Sequence, residues 1–198
     1  MNFKRARNDN QVELRKQEIL DACKQLLFEV GYDDTTLLSV SKLISVGRTT
    51  IYNYFPTKED MFMELCIQEG SYFINDMKEA YEKADKSNPY NSFEKAMLDL
   101  FIKYKYIFDY YAIYVAKVMG KASKETIKEF KENISIPIKE LYKKWLLLIN
   151  PNLDDNRIND LSNVLLVFLT GVHNMSMNDE RYYSTCKTFV EGTILILK

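Results

Sequence analysis

Histidine occurs once in these 198 residues, at His173. A single imidazole rules out a two-histidine metal site and leaves a nucleophile–histidine–carboxylate triad poorly supplied. His173 reads either as a hydrogen-bonded packing residue near an apolar helix end or as a ligand contact. Cysteine is scarce too: Cys23, Cys66 and Cys186 are odd in number and far apart. They suit reduced, mostly buried thiols and not a disulfide framework. No glycine-rich loop is available to cradle a phosphate, and no nucleophile elbow is present. The chain therefore does not read as an enzyme, and no metal or cofactor is expected. The longest apolar stretch, near Val164 to Val172, is too short and too interrupted to span a bilayer. No apolar run follows the basic start, so no secretory signal is expected and a cytoplasmic location is. Six glycines and four prolines are few, as in a chain filled with helices.

Surplus positive charge is also missing. Lys and Arg number 27 against 28 Asp and Glu, and residues 1–60 carry nine of each sign. A strongly basic domain would mark a nucleic-acid binder directly; here the case rests on local pattern. Lys4, Arg5 and Arg7 make a short basic arm, suited equally to a minor groove and to a solvated tail. Residues 35–58 contain Lys42, Arg48 and Lys58 but no Asp or Glu.

That same window holds the most informative pattern. Leu37, Val40, Leu43 and Ile44 have the spacing of a helix with one buried side, and Thr36 suits its N-cap. Ile51, Tyr54 and Phe55 form a second apolar period, with Val46 in the break before it. At about 100° per residue, Arg48, Thr49, Tyr52 and Asn53 fall within an arc of roughly 140° on the opposite face. A guanidinium, a hydroxyl, a phenol and an amide on one helix face can meet base edges and phosphates in a major groove about 12 Å wide. Pro56 ends this helix. Thr57 can cap the next one and leave its first N–H groups for a phosphate beside Lys58. The pattern is that of a helix-turn-helix reader; it also suits two core helices of a bundle with a wet outer face.

Together with the helix before it, the stretch resembles the tetracycline-repressor (TetR) family of bacterial transcriptional regulators. Arg15, Ile19, Leu20, Ala22, Leu27, Phe28, Gly31, Tyr32 and the Thr35–Thr36 pair follow the family's first-helix pattern. Val46, Thr50, Ile51, Tyr52, Tyr54, Phe55, Lys58 and Glu59 match its turn valine, its T-[LI]-Y-x-[YH]-F segment and its K-E helix start. The likeness covers about residues 12 to 65. It departs at Ser41 and Ile44, where alanines are usual, at Ser45 in place of the turn glycine, at Gly47 in place of the capping serine, and at Thr49 in place of glycine. A non-glycine residue in a left-handed turn costs roughly 1–2 kcal/mol.

The resemblance implies an all-α chain: a three-helix head with the reader (residues 1–56), then a larger helical ligand-binding and dimerisation body (residues 57–198). It implies double-stranded operator DNA as partner, contacted through Thr36, Arg48, Thr49, Tyr52, Asn53 and Lys58. It also implies a homodimer formed by the last two helices, about residues 154–197, a small-molecule effector, and repression as the usual outcome. In the body the chain's own pattern predicts helices over about 57–84, 91–119, 123–149 with a kink at Pro137, 154–176 and 179–197. Ile158, Leu161, Val164, Leu165, Phe168, Val172 and Met175 make a wide apolar side, as do Tyr182, Tyr183, Cys186, Phe189, Val190, Ile194 and Leu197. Either side can close the chain's own core or meet a second copy. Tyr104, Phe108 and Tyr111 form an aromatic stripe that serves as core or as the wall of a cavity, with Trp145 and His173 as further candidates for contact with a largely apolar or aromatic effector. A helical binding or scaffold protein that keeps the head without reading an operator is the alternative.

Overall fold

The computed structural model describes the backbone of residues 3–173 and 179–197, and side chains from residue 10 onward except at 115, 166, 169, 170, 172 and 173. The side chains of His173, Val172, Met175, Lys4, Arg5 and Arg7 therefore lie outside the described residues. The described elements are all helical: α1 (Phe3–Asp34), α2 (Leu37–Leu43), α3 (Arg48–Tyr54), α4 (Lys58–Glu82), α5 (Pro89–Lys103), α6 (Lys105–Ile113), α7 (Lys124–Phe130), α8 (Ile136–Ile149), α9 (Asp155–His173) and α10 (Asp179–Leu197). Two π-helical turns, Tyr114–Val118 and Lys131–Ser135, flank α7 on its two sides. None of the described helices is long and apolar enough to cross a membrane. The chain forms two compact units, residues 1–65 with 117–127, and residues 66–116 with 128–198.

In the first unit, α1 is interrupted at Gly31, whose φ of 79° lies where a side chain would be strained. Thr35, buried, returns its hydroxyl to the Gly31 carbonyl at 2.7 Å. Thr36 then starts α2 through a capping box: its Oγ1 accepts from Ser39 N at 3.0 Å, while Thr36 N donates to Ser39 Oγ at 2.8 Å. A cap of this kind is worth about 1 kcal/mol. Ile19, Cys23, Val40, Ile51, Phe55, Phe62 and Val118 are buried in this unit, and the Phe62 ring meets Tyr32 edge-on at 5.0 Å. Leu43, expected inside with Leu37 and Val40, is 41% exposed. Its helix ends there and the next residue has left helical geometry (φ −95°, ψ 8°), so the apolar face is not carried on.

The second unit packs α5 against α8 and α10, and α9 against α6, α8 and α10. Phe93, Met97, Phe101, Tyr142, Trp145 and Leu146 form the centre of its core. The single helix expected over about 91–119 is instead α5, a break at Tyr104 (φ −109°, ψ 23°), α6 and a π turn. Its start lies earlier, with Asn88 at the N-cap position and Pro89 in the first turn, where a missing N–H is harmless. Pro137 does divide its segment: it occupies the first turn of α8, directly after the second π turn. Proline cannot supply an i→i−4 bond and its ring crowds the preceding turn.

The last two helices correct the apolar faces read from sequence. Ile158, Leu161, Leu165, Tyr182, Cys186, Val190, Ile194 and Leu197 are all buried in the chain's own core. Among the described residues, the apolar groups left exposed are Val164 and Val167 on α9, and Tyr183, Leu195 and Ile196 on α10. Among the described residues each helix thus carries a buried apolar side and an exposed one.

Candidate functional site

The polar face of α3 stands as the spacing requires. Gly47 is the N-cap, in extended geometry (φ −62°, ψ 142°), and Thr50 N donates to its carbonyl at 2.9 Å. Arg48, Thr49, Tyr52 and Asn53 are exposed, while Ile51 is wholly buried and Phe55 nearly so. Burying two such side chains contributes roughly 1.5–3 kcal/mol each and holds the helix from behind. The Arg48 guanidinium lies 5.7 Å from the centre of the Tyr52 ring, one turn along, within range of a cation–π contact. The outer face therefore offers hydrogen-bond donors and one positive charge. Thr36 is exposed at the start of α2, although its hydroxyl is already engaged with Ser39.

Two serines explain how the turn between α2 and α3 closes without glycine at its left-handed position. Ser45 sits at φ 55°, the left-handed region that glycine usually fills. Ser41, buried, donates through Oγ to the Val46 carbonyl at 2.8 Å, while Val46 N donates to the Ser41 carbonyl at 3.1 Å. A net hydrogen bond contributes about 0.5–1.5 kcal/mol, comparable with the strain at Ser45. The serine that replaces an alanine thus fastens the turn that the other serine strains.

Lys58 is drawn to the end of α1. Its Nζ donates to the carbonyls of Tyr32 at 2.8 Å and Asp33 at 3.1 Å, and stands 4.3 Å from the centre of the Tyr32 ring. The ammonium therefore closes the C-terminal end of α1, with one of its three donors left over. Thr57 caps α4 as its sequence suggests: Asp60 N donates to Thr57 Oγ1 at 3.0 Å, and Thr57 Oγ1 donates to Asp60 Oδ2 at 2.7 Å. The other carboxylate oxygen, Oδ1, accepts from Ser123 N and from Thr126 Oγ1, each at 3.0 Å. Burial pushes the Asp60 carboxyl up, but the Ser123, Thr57 and Thr126 hydrogen bonds outweigh it and hold the group below the ordinary aspartate range. Lys117 pairs with Asp33 in the same unit. Burial pushes the Cys23 thiol up to about 12 against the pull of Lys58, so it stays protonated and inert.

The body unit holds an apolar cavity of about 50 Å³. Among the described residues its walls are Cys66, Gly70 and Phe73 of α4, Ile107, Phe108, Tyr110 and Tyr111 of α6, Phe130 at the end of α7, Ile134 and Ser135 of the second π turn, and Ile138 of α8. Phe108 and Tyr111, expected there, line it. Tyr104 and Trp145 do not. Tyr104 turns its hydroxyl to Asp76 Oδ2 at 2.8 Å, and Trp145, wholly buried, is enclosed edge-on by Tyr81 at 5.3 Å and Phe93 at 5.8 Å. Both are core residues, as an aromatic at helical spacing commonly is. The residues that sequence reading missed carried one signal: Cys66, Gly70 and Phe73 share a face of α4, and a glycine in a long helix is otherwise a penalty of about 1 kcal/mol.

Residues 19–65 match the sequence pattern of the tetR family of bacterial regulatory proteins. The chain is 32% identical to the HTH-type transcriptional regulator YhgD of Bacillus subtilis over 123 residues, 62% of this chain and 54% of that protein; it spans about half the length of that relative. It is 27% identical to IcaR of Staphylococcus aureus, a negative transcriptional regulator of the biofilm operon icaADBC, over 158 residues, 78% of this chain and 80% of that one. The fold is similar to that of FadR from Thermus thermophilus, a TetR-family repressor solved in complex with lauroyl-CoA. The TM-score is 0.62 at 14% identity, covering 92% of each chain.

Proposed function

Because the chain belongs to the tetR family of bacterial regulatory proteins, we propose that it binds a palindromic operator in double-stranded DNA as a homodimer and represses transcription until a small effector enters its body. Residues 1–56 are the DNA-binding domain in this reading, and residues 57–198 the ligand-binding and dimerisation domain. The observation that carries it is the α3 surface: four polar side chains exposed on a short helix braced by Ile51 and Phe55. Arg48 and Thr49 read base edges, Tyr52 and Asn53 contact bases or phosphates, and Thr36 and Lys58 position the backbone. For Lys58 that role falls to the one donor the α1 carbonyls leave open.

A two-fold operator needs two recognition helices about 34–36 Å apart, or a multiple of that. The apolar surface left exposed on α9 and α10, which includes Val164, Val167 and Leu195, supports pairing of two copies. Gly171 and Gly192 have no neighbour within 4 Å of where a Cβ would stand, so backbones can approach there. An effector lodged against Gly70 and Phe73 would act on α4, the helix that follows directly on the reader. Coupling of roughly 1–3 kcal/mol would change operator affinity about 5- to 150-fold.

Fluorescence anisotropy with the DNA upstream of the chain's own gene tests this reading. Nanomolar, salt-sensitive binding is expected; Arg48→Ala should weaken it by about 1–3 kcal/mol and relax preference at one base pair. Lys58→Ala should weaken all sequences alike and lower the salt slope by roughly one unit. If both variants bound like the parent across a salt titration, these contacts would be misassigned. A protein that retained no DNA at any salt would instead be the helical scaffold that keeps the head alone.

A further inference from the structure

The wall of the body cavity is chemically one-sided. None of the eleven described residues that line it is Lys, Arg, His, Asp or Glu; the side-chain polar atoms they carry are the hydroxyls of tyrosine and Ser135 and the Cys66 thiol. Asp109, the acidic group nearest in sequence to the aromatic stripe, is not among them. The rings are also fixed. Phe73 meets Phe108 edge-on at 6.0 Å, and Phe130 packs on Tyr114 at 4.8 Å, which in turn touches Tyr111 at 5.9 Å. A charged group placed here would shed its hydration and find no opposite charge among these residues. The nucleotide end of an acyl-CoA, with its several phosphates, would need cationic partners that this wall does not offer.

Size is set at a second place. Ile134 leans on Gly70 so closely that a Cβ there would stand 2.9 Å from Ile134 Cδ1 and 3.1 Å from its Cγ2. Ile134 is carried by the π turn at Lys131–Ser135, and such bulges, with one extra residue in the turn, often occur at functional positions. The cavity of about 50 Å³ exceeds the roughly 10–15 Å³ that one water needs, but a six-membered ring fills it only if one wall gives. The end of the Ile134 side chain, which packs on Gly70 where no Cβ stands, is the part that can turn.

We propose that this cavity takes an uncharged, single-ring apolar molecule, and that Gly70 and Ile134 set the size limit. The proposal deepens the sensor reading above and rests on it for its regulatory meaning, though not for binding itself. The test uses the full chain and three isosteres: benzyl alcohol, benzoate and benzylammonium, with lauroyl-CoA as a fourth probe. Thermal melting should show a rise in Tm of roughly 3–6 °C with benzyl alcohol at about ten times its Kd, and none with the two ions or with lauroyl-CoA. Ile134→Ala should admit the two-ring 1-naphthalenemethanol, which the parent refuses. Ile138→Phe, which fills the space, should weaken benzyl alcohol at least tenfold; circular dichroism of each variant without ligand establishes that it is folded. Equal binding of either ion, tight binding of lauroyl-CoA, or no binding of benzyl alcohol overturns the proposal. Operator anisotropy on the same samples separates the two readings: DNA binding without benzyl alcohol binding sinks this inference alone, and benzyl alcohol binding without DNA binding sinks the regulator reading alone.

Discussion

Ser45 is the clearest single-residue conflict in the chain. Its φ of 55° asks for glycine, and the strain of a side chain there is roughly 1–2 kcal/mol. Ser45→Gly should relieve that strain but widen the unfolded ensemble, leaving a net gain of about 0.5–1 kcal/mol. Ser41→Ala should cost about 0.5–1.5 kcal/mol, because the half-buried Val46 carbonyl loses the hydroxyl bonded to it. Urea unfolding at matched m-values measures both. A Ser41→Ala variant as stable as the parent would show that the hydroxyl does not hold the turn. Both departures from the family pattern are visible in the sequence. Their compensation is not, since no spacing rule says that position 41 reaches the carbonyl of position 46.

At the scale of elements, the N-terminus of α4 shows how one carboxylate organises two helices. Asp60 is bonded to Thr57 at the start of its own helix and to Ser123 and Thr126 at the start of α7. Its folded carboxyl lies below the ordinary value of 3.8, so the charged form is the stabilising one. The sign follows directly: the contribution is present above the unfolded pKa of about 3.8 and is lost as pH falls through the lower folded pKa. Asp60→Asn should therefore melt below the parent at pH 7, and the two Tm values should converge as the pH is taken below 3.8. A constant gap across that range would mean that the carboxylate is not the cause. Helix existence here was legible from period and caps, at Thr36, Gly47 and Thr57. Helix interruption at Tyr104 was not, because α5 and α6 have continuous helical composition and only packing breaks them.

For the whole molecule, the decisive surface is the second apolar side of α9 and α10. Val167 and Leu195, each 70% exposed, lie outside a core that already contains Leu161, Leu165, Cys186 and Val190. Sedimentation at micromolar concentration should give twice the chain mass, and Val167→Asp with Leu195→Asp should give one chain mass with unchanged helical content. The doubly substituted chain should also lose operator binding by more than the tenfold that one factor of 1.4 kcal/mol represents, since each head alone holds half a site. A dimer that survives both substitutions would place the contact elsewhere.

By itself the sequence determined the helical class of each long segment, the braced pair of short helices at residues 35–58, the caps at Thr36, Gly47 and Thr57 and the absence of metal-ligand spacing. These are local matters: helical period, capping chemistry and residue type act within a few turns of chain. Tertiary structure alone decided which of two apolar sides of α9 and α10 is internal, that Lys58 turns to the α1 carbonyls, that Tyr104 and Trp145 belong to the core, and that Gly70 meets Ile134 at the wall of a cavity. Each of those depends on which distant side chain arrives within about 4 Å, and a one-dimensional pattern carries no information about which of several apolar partners will fill a given space.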